Sequence, residues 1–263
     1  MRPNHVLRAW RAGGQTIGGW LSINSSFSAE AMAHVGFDWL CVDMQHGLAD
    51  FADCVTMLQA ISTTDTVPFV RVPWNEPSII MRVLDAGAYG VIVPLVSNRE
   101  EAERAVAAVR YPPAGQRSSG PARAAMYGGA NYQQWANDEI ALIVMIETAE
   151  ALEKLDEILA VPGIDAAYIG PSDLAYAIGI PPTGDNNDPK HVETVNRILE
   201  ACRRHGVAPG VHTASVEYTT RFLKQGFQLV MLGADLAFMR RVASGDLQAA
   251  RANSGVPAVQ PGA

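Results

Sequence analysis

The chain has 263 residues, 48% hydrophobic and 18% charged, with a formal net charge of −7. That size suits one barrel-sized domain or two small ones. The acidic balance, with a pI near 5.3, speaks against a phosphate-backbone partner, so no nucleic acid is expected. No apolar run reaches the ~20 residues of a membrane helix, so no membrane partner is expected either.

Strand-like and helix-like segments alternate from end to end. Residues 4–12 read as a short amphipathic helix, and the N-terminal stretch Met1–Gly14 lacks the continuous apolar segment of a secretory signal. Residues 17–22 read as strand one and 28–36 as a helix. Strand two (38–43) and a helix near 51–61 follow, then strand three (67–72) and helix 76–87. Strand four (90–95) leads to helix 98–109. Strands five (140–147), six (166–169), seven (207–212) and eight (228–232) alternate with helices near 149–160, 189–205, 215–225 and 235–251. Eight such pairs in about 250 residues predict an α/β fold, a (β/α)8 TIM barrel. A doubly wound sheet fits less well, since no Gly-x-Gly-x-x-Gly follows strand one. We read residues 1–252 as one barrel domain and 253–263 as a disordered tail. Residues 111–137 form a connection long enough to suggest a functional segment or an interface. Cys41, Cys54 and Cys202 show no metal-type spacing; a sparse, odd set fits a reducing, cytoplasmic setting. Cys41 lies inside an apolar run and reads as core.

In such a barrel the chemistry gathers at the C-terminal ends of the strands. Two apolar runs end in acids 26 positions apart, about one strand-helix-strand step: Ile140 to Glu147, and Ala166 to Asp173. Adjacent parallel strands lie about 4.8 Å apart, so both acids would reach one hard cation. Oxygen ligation with few protein ligands favours Mg²⁺, Mn²⁺ or Co²⁺, completed by substrate and water. The plainer reading pairs Glu147 with an arginine and makes Asp173 a helix cap, with Ser172 as a possible N-cap. Gly170-Pro171-Ser172-Asp173 is a strand-to-helix turn, whose free N–H groups would hold a substrate carboxylate.

His46, after strand two, is the acid/base candidate, because imidazole titrates near neutrality. Asp43 would orient it or a bound water. Arg71 ends strand three and needs an acidic partner, Asp43 or Glu147, or an anionic substrate, whose charge it would stabilise. His212 ends strand seven and would line the site. Trp20 and Ser22 end strand one. His5, His34, His191 and His205 read as surface. Arg117 and Arg123, on the long connection, would bind the acceptor, a neighbouring subunit or solvent. Asp85 reads as a helix C-terminal residue.

With these residues placed, the chain resembles the HpcH/HpaI aldolase family, the metal-dependent class II pyruvate aldolases. The resemblance runs from about Gly18 to Arg251. It rests on Phe37-Asp38-Trp39, Asp43-x-x-His46, Val70-Arg71-Val72-Pro73-Trp74-Asn75, Tyr111-Pro112-Pro113-Ala114-Gly115-x-Arg117, Ile146-Glu147-Thr148 and Ile169-Gly170-Pro171-Ser172-Asp173-Leu174, in that order. It implies a barrel of the phosphoenolpyruvate/pyruvate-binding type, in a homo-hexamer built as a trimer of dimers that exchange their C-terminal helices. Leu236, Phe238 and Met239 give the last helix an apolar face that suits such an exchange. The resemblance also implies roles. Glu147 and Asp173 would hold the divalent metal, and His46 would act as acid/base through water. Arg71 would bind the keto and enolate oxygens. Asp85 would support the histidine, across a subunit interface. Trp20, Ser172, Asp173, His212 and Arg123 would join Arg71 in binding substrate.

The implied reaction is reversible cleavage of a 4-hydroxy-2-oxo acid to pyruvate or hydroxypyruvate and an aldehyde, via a metal-stabilised enolate. Three positions depart from the family pattern: Gln45 stands where Glu is frequent, Met145 where Gln is, and His212 where an aliphatic residue is. The last two leave the donor open. Alternatives on the same site are a citrate-lyase-like CoA-ester lyase, for which no basic cluster holds CoA phosphates, and an oxaloacetate-type decarboxylase or bond-forming synthase. A barrel that only binds a small acid is set against by the full set of Asp43, His46, Arg71, Glu147 and Asp173.

Overall fold

Branched apolar runs too short for helices, each bounded by polar turns, become eight parallel strands. The computed structural model describes residues 2–258. The strands are β1 (Thr16–Leu21), β2 (Trp39–Asp43), β3 (Val67–Arg71), β4 (Gly90–Val93), β5 (Ala141–Met145), β6 (Ala166–Ile169), β7 (Ala208–His212) and β8 (Leu229–Ala234). They pair in chain order, and β8 closes back onto β1 with a register shift between Gly18 and Gly19. The expected TIM barrel is therefore the fold. Strands β2 to β6 are buried along their whole length, as parallel strands covered on both faces must be.

Helices wrap the outside. They are α1 (His5–Arg11), α2 (Ser26–Ala33), α3 (Phe51–Ile61), α4 (Pro77–Asp85), α5 (Arg99–Val109), α6 (Ala124–Gly128) and α7 (Tyr132–Glu139). After β5 come α8 (Ala149–Glu153), α9 (Leu155–Leu159), α10 (Pro171–Ala177), α11 (Pro189–His205), α12 (Val216–Gln225) and α13 (Asp235–Ser254). Several starts are fixed by side chains: Ser25, Asp50, Asn98, Thr148 and Ser215 each accept a first-turn N–H.

Two apolar cores result. The larger lies between the strands and the helix ring. The smaller fills the barrel, with Trp39, Phe69, Ile143, Met145, Tyr168 and Met231 among its members. At the N-terminal end of the strands α1 lies across the opening. Its Val6, Leu7 and Trp10 are buried, and the Trp10 indole donates to Thr16 Oγ1 at 2.9 Å.

The structure departs from the sequence reading in four places. The helix expected over 149–160 breaks at Lys154, which leaves helical dihedrals (φ −102°, ψ 20°). The 111–137 connection carries α6 and the start of α7, and it is pinned by Arg117, whose side chain is fully buried and lies 4.5 Å from the Tyr111 ring centroid. The last helix runs on to Ser254, into the segment read as a tail, while residues 259–263 of that tail lie outside the described residues. His191 is buried rather than on the surface, because its helix turns that face inward.

Candidate active site

Register brings the first two groups together. Asp43 and Arg71 are paired neighbours at the C-terminal ends of β2 and β3. The guanidinium clamps the carboxylate with Nε to Oδ1 at 2.9 Å and Nη2 to Oδ2 at 2.6 Å. Burial raises the Asp43 carboxyl, but Arg71 outweighs it and holds the group below its ordinary value. The same pairing raises Arg71 against the opposing effect of its burial. The salt bridge foreseen as the plainer reading is thus formed with Asp43, not Glu147. Arg71 Nη1 has no protein partner among the described residues. Trp20 lies behind the pair: its ring centroid is 5.0 Å from Arg71 Cζ, and with only 2% exposed it supports the wall more than it faces the mouth.

Glu147 follows β5 by two residues and is 2% exposed. Its Oε1 accepts the Leu95 N–H at 3.0 Å, whereas Oε2 is buried without a partner. Burial pushes the carboxyl up to about 7, with the Leu95 N–H opposing and the nearby Asp173 adding to the rise. Gly170 makes room for this acid: a Cβ there would lie 2.3 Å from Oε2. Ser172 and Asp173 are exposed in the first turn of α10, whose N-cap is Gly170 rather than Ser172.

The histidines differ in setting. His46 is exposed on the turn after β2, and its backbone N–H, not its ring, bonds Asp43 Oδ1 at 3.3 Å. Asp43 therefore shapes the turn that presents the imidazole. His212 ends β7, with Nδ1 3.3 Å from the Tyr168 hydroxyl and its ring edge-on to Trp20 at 5.1 Å. Burial, then the Arg71 charge, pushes its imidazole down to about 4, so the ring is neutral near pH 7. A cavity of about 230 Å³ opens beside it, bounded in part by Met231, Gly233, Phe238 and Arg241.

Two candidates are not brought to this mouth within the chain. Asp85 ends α4 at the opposite, N-terminal side of the barrel and pairs with Arg117 Nη2 at 2.7 Å. Arg123 lies on that side too, bonding the Ala86 carbonyl and, at 2.9 Å, the Tyr127 hydroxyl. Helices return antiparallel to the strands, so a helix C-terminus lands at the end away from the mouth. Arg117 is likewise buried against Asp85 and Tyr132, not solvated. Sequence reasoning passed over Tyr168 and Leu95. Tyr168 was legible as a hydroxyl inside an apolar strand; Leu95 contributes only its backbone and left no signal.

The profile of the family described as HpcH/HpaI aldolase/citrate lyase matches residues 16–241. A hydroxypyruvate/pyruvate aldolase of Rhizorhabdus wittichii is 39% identical over 95% of this chain and 99% of its own. A 4-hydroxy-2-oxo-heptane-1,7-dioate aldolase of Escherichia coli is 39% identical over 98% of each chain. The chain belongs to the HpcH/HpaI aldolase/citrate lyase family. A solved structure of a member from Burkholderia cenocepacia superposes with a TM-score of 0.89 at 35% identity, covering 94% of this chain and 99% of that one. This chain is accordingly an enzyme, a carbon–carbon lyase of the class II aldolase type.

Class II aldolases use a divalent metal in general. Among the described residues no three His, Cys, Asp or Glu groups converge as a metal cluster, so a resident ion would have two carboxylates and otherwise small-molecule ligands. The residues fit that demand. Glu147 offers a naked, buried oxygen, Asp173 lies close enough to raise it, and Gly170, having no Cβ, leaves room for that oxygen.

Proposed function

We propose that this enzyme reversibly cleaves 4-hydroxy-2-oxo acids to pyruvate or hydroxypyruvate and an aldehyde. The observation that carries the reading is the pairing, at one barrel mouth, of an Asp43-clamped Arg71 with a Glu147 whose Oε2 lacks any partner. A divalent ion (Mg²⁺, Mn²⁺ or Co²⁺) held by Glu147 and Asp173 would supply Lewis acidity toward the 2-oxo acid.

The rest of the work falls to the chain itself. Ser172 and Asp173 N–H groups, at the start of α10, orient the donor carboxylate. His46 takes the proton from the 4-hydroxyl oxygen as the C3–C4 bond breaks and the aldehyde carbonyl forms. The bonding pair moves toward the 2-oxo oxygen, where the free N–H face of Arg71 meets the growing charge. Asp43 keeps that guanidinium charged and aimed. Return of a proton to C3 completes the donor, and each step runs backward in synthesis.

Hydroxypyruvate is the better-matched donor. A neutral His212 beside Tyr168 gives the pocket a polar group where the donor's C3 hydroxyl would lie, and the R. wittichii relative is named for both donors. The exposed apolar side chains of α13, Leu236, Met239, Val242 and Leu247, support a homo-hexamer built from dimers that exchange this helix. In such an assembly Asp85 and Arg123 would serve the mouth of another copy. Three free, buried cysteines support a reducing, cytoplasmic setting. No helix of the described residues is long and apolar enough to cross a membrane.

The test is aldol addition of either donor to a panel of small aldehydes, after EDTA treatment and with each cation restored. Metal-dependent product supports the reading. No product with either donor, while metal still binds, would favour a citrate-lyase-like or decarboxylase reaction on the same residues.

A further inference from the structure

Leu95 is the one non-glycine residue with a left-handed backbone among the described residues, at φ 56°. Side chains beyond glycine and asparagine seldom adopt that conformation, because Cβ crowds the backbone. A strained residue of this kind persists only where its surroundings over-determine it, and such residues gather at functional sites. Here the surroundings form a closed ring of hydrogen bonds. The Leu95 N–H donates to Glu147 Oε1 at 3.0 Å, and the Ser97 hydroxyl lies 3.3 Å from the Leu95 carbonyl. The same hydroxyl shares a 2.8 Å bond with Thr148, the neighbour of Glu147 in the chain. The Ser97 N–H is anchored to Glu101 at 2.8 Å, and Thr148 caps α8. The loop after β4 is thus buckled onto the loop after β5, and the buckle passes through the strained amide.

The ring treats the two oxygens of Glu147 differently. One is pinned; the other is buried, unpartnered and seated against Gly170, where a Cβ would lie 2.3 Å from it. A relaxed right-handed or extended Leu95 would turn its N–H elsewhere and leave both oxygens free to rotate. We propose that Leu95 is a positioning residue, whose left-handed backbone aims its amide at Glu147 Oε1 so that Oε2 alone faces the cation. The proposal rests on the reading that Glu147 holds the cation, and its test separates the two.

The test measures Mn²⁺ affinity by calorimetry, and the visible spectrum of bound Co²⁺, on the full-length protein after EDTA treatment. The key variant replaces the Pro94–Leu95 peptide N–H by an ester oxygen, which removes the donor and keeps the side chain. Its Mn²⁺ affinity is expected to fall on the order of tenfold, the weight of one hydrogen bond to a charged group. Its Co²⁺ bands should shift as the unpinned carboxylate changes its mode of binding. Leu95→Gly, which accepts a positive φ freely, should keep its Tm yet bind Mn²⁺ several-fold more weakly, because the loop is no longer held to one conformation. Ser97→Ala should weaken Mn²⁺ in the same direction, and it tests the ring if the ester protein does not fold. A folded ester variant, or in its place a folded Ser97→Ala variant, with Mn²⁺ affinity within twofold of wild type and unchanged Co²⁺ bands overturns the proposal. Equal Mn²⁺ affinity in Glu147→Ala and wild type would instead overturn the metal reading, and the proposal with it.

Discussion

Arg71 donates two parallel hydrogen bonds to Asp43, at 2.9 and 2.6 Å, which engage both carboxylate oxygens and two of the three guanidinium nitrogens. The arrangement is a fork meeting a fork, and it leaves the Nη1 edge of the arginine without a protein partner among the described residues. Arg71→Lys keeps the charge but loses the fork. Steady-state kinetics should show kcat/KM reduced on the order of 10²–10³-fold. Asp43→Ala strands a buried guanidinium, and urea unfolding should report a loss of about 3 kcal/mol. An Arg71→Lys enzyme with wild-type kcat/KM would remove Arg71 from the chemistry.

Glu147 makes the metal-free protein sensitive to pH. Its carboxyl stands at about 7, raised from 4.5 by burial, so the folded state holds a proton that the unfolded state releases between these values. The contribution is fully favourable below pH 4.5 and is lost as pH rises to about 7, a fall of about 3 kcal/mol at most. Metal-free Glu147→Gln should lose this dependence and exceed metal-free wild type in urea midpoint at pH 8. If Glu147 holds the cation as proposed, binding expels the same proton, so Mn²⁺ affinity of wild type should weaken up to about tenfold per unit below pH 7. A flat profile would show that another group holds the ion.

His46 is exposed and its ring has no hydrogen-bond partner among the described residues, so removing it should leave the fold intact. His46→Ala is expected to bind Mn²⁺ like wild type while aldol turnover falls roughly 10²–10⁴-fold. Unchanged turnover would remove it from the mechanism.

On the proposed reading His212 discriminates between the two donors. His212→Leu should lower the hydroxypyruvate-to-pyruvate ratio of kcat/KM by roughly 10-fold, the weight of one hydrogen bond in an enclosed site. Tyr168→Phe should move the ratio in the same direction, by less. An unchanged ratio in His212→Leu would sink the link. The imidazole stands at about 4 in the folded protein against 6.5 ordinarily, so the unfolded state takes up the proton first on acidification. Stability from this group is complete above pH 6.5 and is lost as pH falls toward 4, and His212→Leu should blunt that loss.

Gly170 is required by Glu147. With an added Cβ only 2.3 Å from Oε2, Gly170→Ala must displace the acid or the turn. Calorimetry should show Mn²⁺ affinity lower by at least tenfold, with a smaller change in Tm. Wild-type affinity would mean that Oε2 does not face the ion.

Much of this was legible in the chain. Eight apolar runs between helical segments gave the barrel, because a parallel strand covered on both faces must be apolar throughout. Acids and cations that interrupt those runs at their ends, Asp43, Arg71, Glu147 and His212, then marked the mouth, since little else puts polar groups there. Asp85 and Arg123 could not be placed by the same logic: neither lies on a strand, and both fall on the side away from the mouth. Tyr168 showed a hydroxyl inside an apolar strand, but its place beside His212 did not show. It needs the space at Gly210, where a Cβ would lie 2.7 Å from its ring, and that contact crosses two strands far apart in sequence. Leu95 acts through an amide every residue but proline possesses, so only the folded backbone reveals it.

The first helix, with Val6, Leu7 and Trp10 wedged beneath the strands, gives the barrel a floor. The vessel therefore has one door. On the proposed reading the 2-oxo acid settles first, at the depth of Arg71 and His212, and the aldehyde arrives above it. On the way out the queue reverses: the aldehyde leaves before the acid beneath it can follow. Product inhibition should carry that signature, with the oxo acid competing against the intact substrate and the aldehyde not.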